Sequence, residues 1–128
     1  MNQDKLSSYS KPLLRIGIAV LFLWFGVSQL MNPSDWTGFI PDFVLSFGIP
    51  GETLVISNGI FEIIFGLLLL VGLYTRISAL LLALHLFGIA FSIGYSPLGV
   101  RDFVLAIATL AVFFAGPDQY TLDYRWKK

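Results

Sequence analysis

The chain has 128 residues, of which 56% are hydrophobic and only 12% are charged, and its mean hydropathy is +0.80. Soluble domains carry about twice that charged fraction, so the composition favours a membrane protein. The net charge is zero, which gives no basis for nucleic-acid binding. The absence of cysteine excludes thiol redox chemistry on this chain. One histidine cannot supply both axial ligands of a haem or a multi-histidine metal site without a second chain, and no metal site is expected.

Four apolar segments are long enough to cross a bilayer, and no cleavage site typical of a signal peptide precedes the first of them. As helices they extend roughly 27–34 Å, against a hydrocarbon core of about 30 Å. Pro12 suits the first turn of the first helix. The sequence therefore predicts one domain over residues 1–128, an all-α integral membrane four-helix bundle. The predicted spans are residues 12–31, 52–74, 77–95 and 98–115.

The long connection between the first two spans is rich in aromatic residues. Trp36, Phe39 and Phe43 recur every three to four residues, so we expect an apolar stripe on a short helix, which Pro41 breaks in two. Such a stripe is expected to lie flat at the outer membrane interface and to cover the end of the bundle. A loop that holds separate aromatic anchors is the alternative.

The distribution of lysine and arginine predicts the orientation in the membrane. Seven of the eight cationic residues fall at helix ends on one side of the bundle, and Arg101 alone falls on the other. By the positive-inside rule, this predicts a multi-pass protein of the cell membrane with both termini in the cytoplasm. The seven are Lys5, Lys11, Arg15, Arg76, Arg125, Lys127 and Lys128.

Glu62 stands in the middle of the apolar run "NGIFEIIFGLLLLVGLYTR". Its position in the second span places it roughly 15 Å below the membrane surface, and His85 in the third span lies at a similar depth. A carboxylate there costs on the order of 3 kcal/mol to insert and indicates a functional site by default. A buried polar network that only fixes helix register is the alternative. Asn58 lies one turn from Glu62 on the same helical face.

Three arrangements of Glu62 are compatible with the sequence. The carboxyl is protonated and bonded to a neighbour, or it is ionised and paired with protonated His85 or with Arg101, or it faces a cavity filled with water or ligand. No catalytic residue is assigned. The candidate residues for a ligand-binding, quinone-binding or buried polar site are Glu62, His85, Arg101, Asp102, Asn58, Arg15 and Gln29.

Other positions have simpler interpretations. Asp102 is expected at the start of the fourth helix, where a carboxylate complements the helix dipole. Arg15 is explained most simply as a topology anchor. Gly59 and Gly66 flank Glu62 one heptad apart and are expected to let a neighbouring helix approach closely.

Several stretches together resemble the DoxX family of small four-helix membrane proteins. They are "LLRIGIAVLFLWFGVSQL", "EIIFGLLLLVGLYTR", "RDFVLAIATLAVFFAG" and the closing "GPDQYTLD", and the resemblance covers about residues 14–123. This chain differs from the family at Gln29, where the family often has a lysine. The polar positions that the resemblance implies are Arg15, Glu62, Arg101 and Asp102.

The resemblance implies a quinone-linked redox setting, as in the family's subunits of thiosulfate:quinone oxidoreductase and of a thiol-stress defence complex. We therefore expect a quinone-associated subunit of a membrane oxidoreductase, embedded in the lipid bilayer beside membrane or peripheral redox proteins. Without cysteine, electrons would pass through a bound quinone or a partner's centre, and Trp24 or Phe65 would pack against the ring. Whether the chain is itself an enzyme, or forms a homo-oligomer, stays open. A non-catalytic assembly subunit and a small proton-coupled transporter are the alternatives.

Overall fold

The computed structural model describes residues 3–126 of the chain, so Lys127 and Lys128, two of the cations used for the orientation, lie outside the described residues. Within residues 3–126, four helices are long and apolar enough to cross a membrane, and the prediction of an all-α membrane bundle is confirmed. The elements are α1 (Gln3–Ser7), α2 (Ser10–Met31), a 3₁₀ helix (Pro33–Phe39), α3 (Asp42–Leu45), α4 (Gly51–Val71), α5 (Thr75–Ile93), α6 (Pro97–Ala115) and α7 (Leu122–Trp126).

α4 ends at Val71, before the predicted end of the second span at residue 74, because the turn to α5 begins at Gly72. This residue has a φ of +77°, in the left-handed region that favours glycine. The N–H groups of Gly72 and Leu73 both donate to the carbonyl of Leu68, at 2.9 Å, a pattern that ends helices. We call this end of the bundle the turn end, and the opposite end, which carries the α2–α4 connection, the lid end.

The four spans pack as two close pairs, α2 with α4 and α5 with α6, and the pairs meet through α4–α5 and α2–α6 contacts. Gly26 and Gly59 face each other in the first pair. A Cβ added to either glycine would lie 2.9 Å from the carbonyl oxygen of the other, so only hydrogen fits there. Gly66 also faces α2, where an added Cβ would lie 3.2 Å from the Leu23 side chain. The prediction that Gly59 and Gly66 admit a neighbouring helix is confirmed.

The hydrophobic core lies between all four spans, mostly in the half of the bundle next to the turn end. Outward-facing side chains are largely apolar and exposed, as expected for surfaces in contact with the lipid bilayer. The buried core residues are Ile18, Ala19, Phe22, Leu69, Ala79, Leu82, Leu86, Ala106 and Val112.

The connection between α2 and α4 folds over the lid end. Its 3₁₀ helix and α3 are separated at Ile40 and Pro41, so the predicted break is confirmed. The Trp36 ring contacts Phe25 of α2 and Phe39 of the same 3₁₀ helix, each with centroids 5.7 Å apart. We call residues 33–45 the lid.

Candidate functional site

A cavity of about 620 Å³ occupies the half of the bundle next to the lid. Its volume falls within the range of about 300–1,000 Å³ that is usual for small-molecule sites. All four spans and the lid contribute to its walls. The aromatic lining residues are Phe22, Trp24, Phe25, Trp36 and Phe39, and the amide and charged ones are Gln29, Asn58, Glu62, Arg101 and Asp102.

A short chain of hydrogen bonds joins three of the predicted site residues. The Asn58 side-chain amide donates to Gln29 Oε1 at 2.8 Å and to Glu62 Oε1 at 3.0 Å. Asn58 and Glu62 are one turn apart on α4, and the close approach of Gly26 to Gly59 brings α2 and its Gln29 within reach. Gln29 and Glu62 are both buried. The carboxyl is therefore enclosed among the helices beside amide groups.

His85 lies close to Glu62 but is not among the residues that line the cavity. Its Nε2 is 3.5 Å from Glu62 Oε1, a distance within ion-pair range but longer than a hydrogen bond. The His85 ring packs against Phe61, with centroids 4.7 Å apart. Neither His85 Nε2 nor Glu62 Oε2 has a hydrogen-bond partner among the described residues. Glu62 therefore lies at the cavity wall and within ion-pair distance of His85, and which of the three predicted arrangements it adopts stays a prediction.

Arg101 and Asp102 line the cavity near the lid end and interact with each other. Arg101 Nη2 lies 3.3 Å from Asp102 Oδ1, so the ion pair of Arg101 in the described chain is with Asp102 and not with Glu62. The prediction that Asp102 starts the helix is wrong. The helix begins at Pro97, and the Ser96 side chain caps it by accepting a hydrogen bond from the Gly99 N–H at 3.1 Å. Asp102 lies beyond the first turn, where the dipole effect fades.

Arg15 lies at the turn end, apart from the cavity. Its Nε donates to Asp118 Oδ2 at 2.8 Å, and its Nη1 donates to the carbonyl oxygens of Leu69 and Leu70 at the end of α4. Because Arg15 is only 2% exposed, it is also a buried structural residue and not only the topology anchor that the sequence suggested. Sequence reasoning missed Asp118, although it stands in the closing "GPDQYTLD".

The same closing stretch also fixes the turn between α4 and α5. The Asp123 carboxylate accepts hydrogen bonds from the N–H groups of Tyr74, at 2.8 Å, and Thr75, at 2.6 Å, so it caps the start of α5. Thr121 packs so closely on Gly72 that a Cβ added to the glycine would overlap the Thr121 side chain. The residues after α6 therefore stabilise the turn end of the bundle. The candidate ligand site is the cavity at the other end.

One of the two predicted ring-packing residues is placed elsewhere. Trp24 lines the cavity, but Phe65 lies outside the lining and packs against Phe61, with centroids 4.8 Å apart. Phe65 lies about one turn beyond Glu62 towards the turn end, whereas the cavity occupies the half of the bundle next to the lid. Trp36 of the lid takes its place as a second indole in the wall.

Comparison with known proteins gives two matches. The DoxX family model matches residues 11–94, which reach from α2 to the end of α5 and leave Arg101, Asp102 and Asp118 beyond the match. A Haemophilus influenzae protein described as uncharacterized is 29% identical over 86 residues. That alignment covers 66% of this chain and 59%, less than two thirds, of the relative. No solved structure matches.

Proposed function

The chain belongs to the DoxX family, and from that premise we propose that it is a quinone-associated subunit of a membrane oxidoreductase complex. The observation that carries this proposal is the cavity, which has aromatic walls and one polar side. A quinone head group is a flat ring with two carbonyl oxygens, so it needs ring-packing surfaces and hydrogen-bond donors in an apolar cleft.

The lining residues fit such a head group. Trp24 and Trp36 offer flat indole surfaces, and Arg101 offers a guanidinium. Gln29 accepts from Asn58 through its oxygen, which leaves its N–H groups to donate to a ligand carbonyl. The buried Glu62 Oε2 has no partner among the described residues, and leaving such an atom unpaired costs free energy. The indoles would pack against the faces of the quinone ring, and the polar side chains would bond the carbonyl oxygens at its edges.

When bound, a quinone supplies reversible two-electron, two-proton redox chemistry. The chain's own part is to bind and orient the ring, to exclude water and to hold a proton at the Glu62 carboxyl. The chain has no cysteine for thiol redox chemistry, and the electrons would come from a centre on another protein. The proposal therefore includes a redox partner in the membrane or at its surface.

Replacing Glu62 with methionine, which has a similar size but no hydrogen-bond donor, is expected to weaken quinone binding by up to about tenfold. A quinone carbonyl oxygen accepts from the protonated Glu62 carboxyl; such a hydrogen bond contributes about 0.5–1.5 kcal/mol, and each 1.4 kcal/mol is tenfold in affinity. Binding is measured in lipid nanodiscs by the quenching of tryptophan fluorescence with decylubiquinone, since two of the three tryptophans line the cavity.

Glu52→Met is the matched control, because Glu52 is an exposed residue in the first turn of the same helix. This control is expected to bind decylubiquinone as the wild type does. Equal decylubiquinone binding by both variants would show that Glu62 does not contact the quinone. Wild-type protein that binds no quinone would favour the assembly subunit, in which the polar residues serve only packing.

We also propose that both termini lie in the cytoplasm, since the described cations other than Arg101 cluster at the turn end. The chain has no native cysteine, so single substitutions give clean probes. In spheroplasts, a membrane-impermeant maleimide is expected to label the Ser46→Cys variant, next to the lid, before lysis. The Ser7→Cys variant in α1 is expected to react only after permeabilisation. The reverse pattern would invert the topology.

A further inference from the structure

We propose that the cavity opens sideways into the bilayer between α2 and α6, at the lid end. Its ligand is then a membrane amphiphile, whose head group enters the cavity while its apolar chain stays among the lipids. That the head group is a quinone ring rests on the proposed function. The lateral opening and the amphiphilic class of ligand rest on the geometry of the two helices.

Near the turn end, α2 and α6 close against each other. Ala19 of α2 and Ala106 of α6 are fully buried members of one core cluster. The pair of Arg15 with Asp118 ties the two helices together just beyond the last turn of α6. Small side chains and an ion pair leave no passage in this half of the bundle.

Near the lid end, the same two helices carry cavity-lining residues that also face outward. Trp24 on α2 is 61% exposed and Leu98 on α6 is 40% exposed, although both line the cavity. The Arg101 side chain is 53% exposed and lines it too. A residue that borders a cavity and is also open to the outside marks the rim of an opening.

The boundaries between the other spans are more closed, although Phe39 of the lid, which is 52% exposed, also borders the cavity. The α2–α4 boundary is sealed by the contact of Gly26 with Gly59, and α5 packs closely on α6. The α4–α5 boundary is bordered by half-buried Leu54 and Ile89 and, at its outer edge, by exposed Ser92. The rim between α2 and α6 therefore presents the larger open surface.

The chemistry of this rim suits an amphiphile. Tryptophan and arginine are the residues that membrane proteins place at the level of lipid head groups. Since lipid chains are as apolar as leucine, the protein would gain little by enclosing an apolar tail. An opening that leaves the tail in the bilayer therefore costs nothing, and the cavity needs to hold only the head group.

Single-cysteine protection tests the opening. Leu98→Cys places a thiol on the rim, and Val100→Cys places one in the same turn of α6 on an exposed residue outside the lining. Both variants are treated with N-ethylmaleimide in nanodiscs, with and without decylubiquinone at about ten times its Kd. The quinone is expected to slow the modification of Leu98→Cys about tenfold and to leave that of Val100→Cys unchanged.

The modified proteins give the second readout. In the modified Leu98→Cys variant, decylubiquinone is expected to quench tryptophan fluorescence more slowly than before modification. In the modified Val100→Cys variant, the rate of quenching is expected to stay unchanged. Protection of a Ser92→Cys variant with no protection of Leu98→Cys would overturn the proposal in favour of the α4–α5 boundary. Undiminished binding to modified Leu98→Cys would overturn it while the proposed function stands. No binding to unmodified protein would overturn the proposed function, and the quinone head group with it.

Discussion

Replacing Arg15 with methionine is expected to destabilise the protein by about 3–5 kcal/mol, the usual cost of removing one partner from a buried ion pair. The substitution leaves the Asp118 carboxylate buried without its guanidinium, which now lies 2.8 Å away. It also removes the donor to the Leu69 and Leu70 carbonyls at the end of α4. Methionine keeps most of the apolar stem, so the loss reports the charge and its hydrogen bonds.

Unfolding by sodium dodecyl sulfate in mixed micelles, followed by circular dichroism, measures this loss. Lys11→Met is the matched control, because Lys11 is an exposed cation one turn earlier on the same helix; its expected change is below about 0.5 kcal/mol. Adding Asp118→Asn to Arg15→Met is expected to restore part of the stability, since no unpaired charge then stays buried. If Arg15→Met costs no more than Lys11→Met, the ion pair contributes nothing to folding.

Arg15 and Asp118 also show where sequence reasoning reaches its limit. The four spans follow from long apolar runs and the lid break follows from Pro41, because these are local patterns. The partner of Arg15 stands 103 positions along the chain, and no periodicity links the two. A cation near the end of an apolar helix has the same local pattern whether it lies among lipid head groups or inside the bundle. Only the packing of residues after α6 on the α4–α5 turn separates these cases.

In the cavity region, too, some features could be predicted from the sequence and others could not. Helical spacing places Asn58 beside Glu62, and depth places His85 near both, so part of this cluster could be read from the sequence. The choice of Asp102 over Glu62 as the partner of Arg101 could not, because it depends on which way α6 is turned. The contribution of Trp36 to the wall depends on how the lid folds back over the bundle, which composition does not determine.

Replacing Gly26 with alanine is expected to destabilise the protein by about 2–3 kcal/mol, in the upper part of the range for overpacking. The new Cβ would lie 2.9 Å from the Gly59 carbonyl oxygen, 3.2 Å from the Ile63 nitrogen and 2.7 Å from Ile63 Cγ1. Two of these atoms belong to the α4 backbone, so the clash is relieved only if α2 and α4 move apart. The same detergent-unfolding measurement gives the change in free energy.

Gly17→Ala is the matched control on the same helix, because a Cβ there meets nothing within 4 Å. With the space free, alanine is expected to stabilise the helix by up to about 1 kcal/mol, so the two identical substitutions should have opposite signs. Separating α2 from α4 would also lengthen the 2.8 Å hydrogen bond from Asn58 to Gln29. Gly26→Ala is therefore expected to weaken decylubiquinone binding as well as stability, whereas Gly17→Ala leaves binding intact. Unchanged binding in a destabilised Gly26→Ala variant would show that the amide network does not hold the ligand.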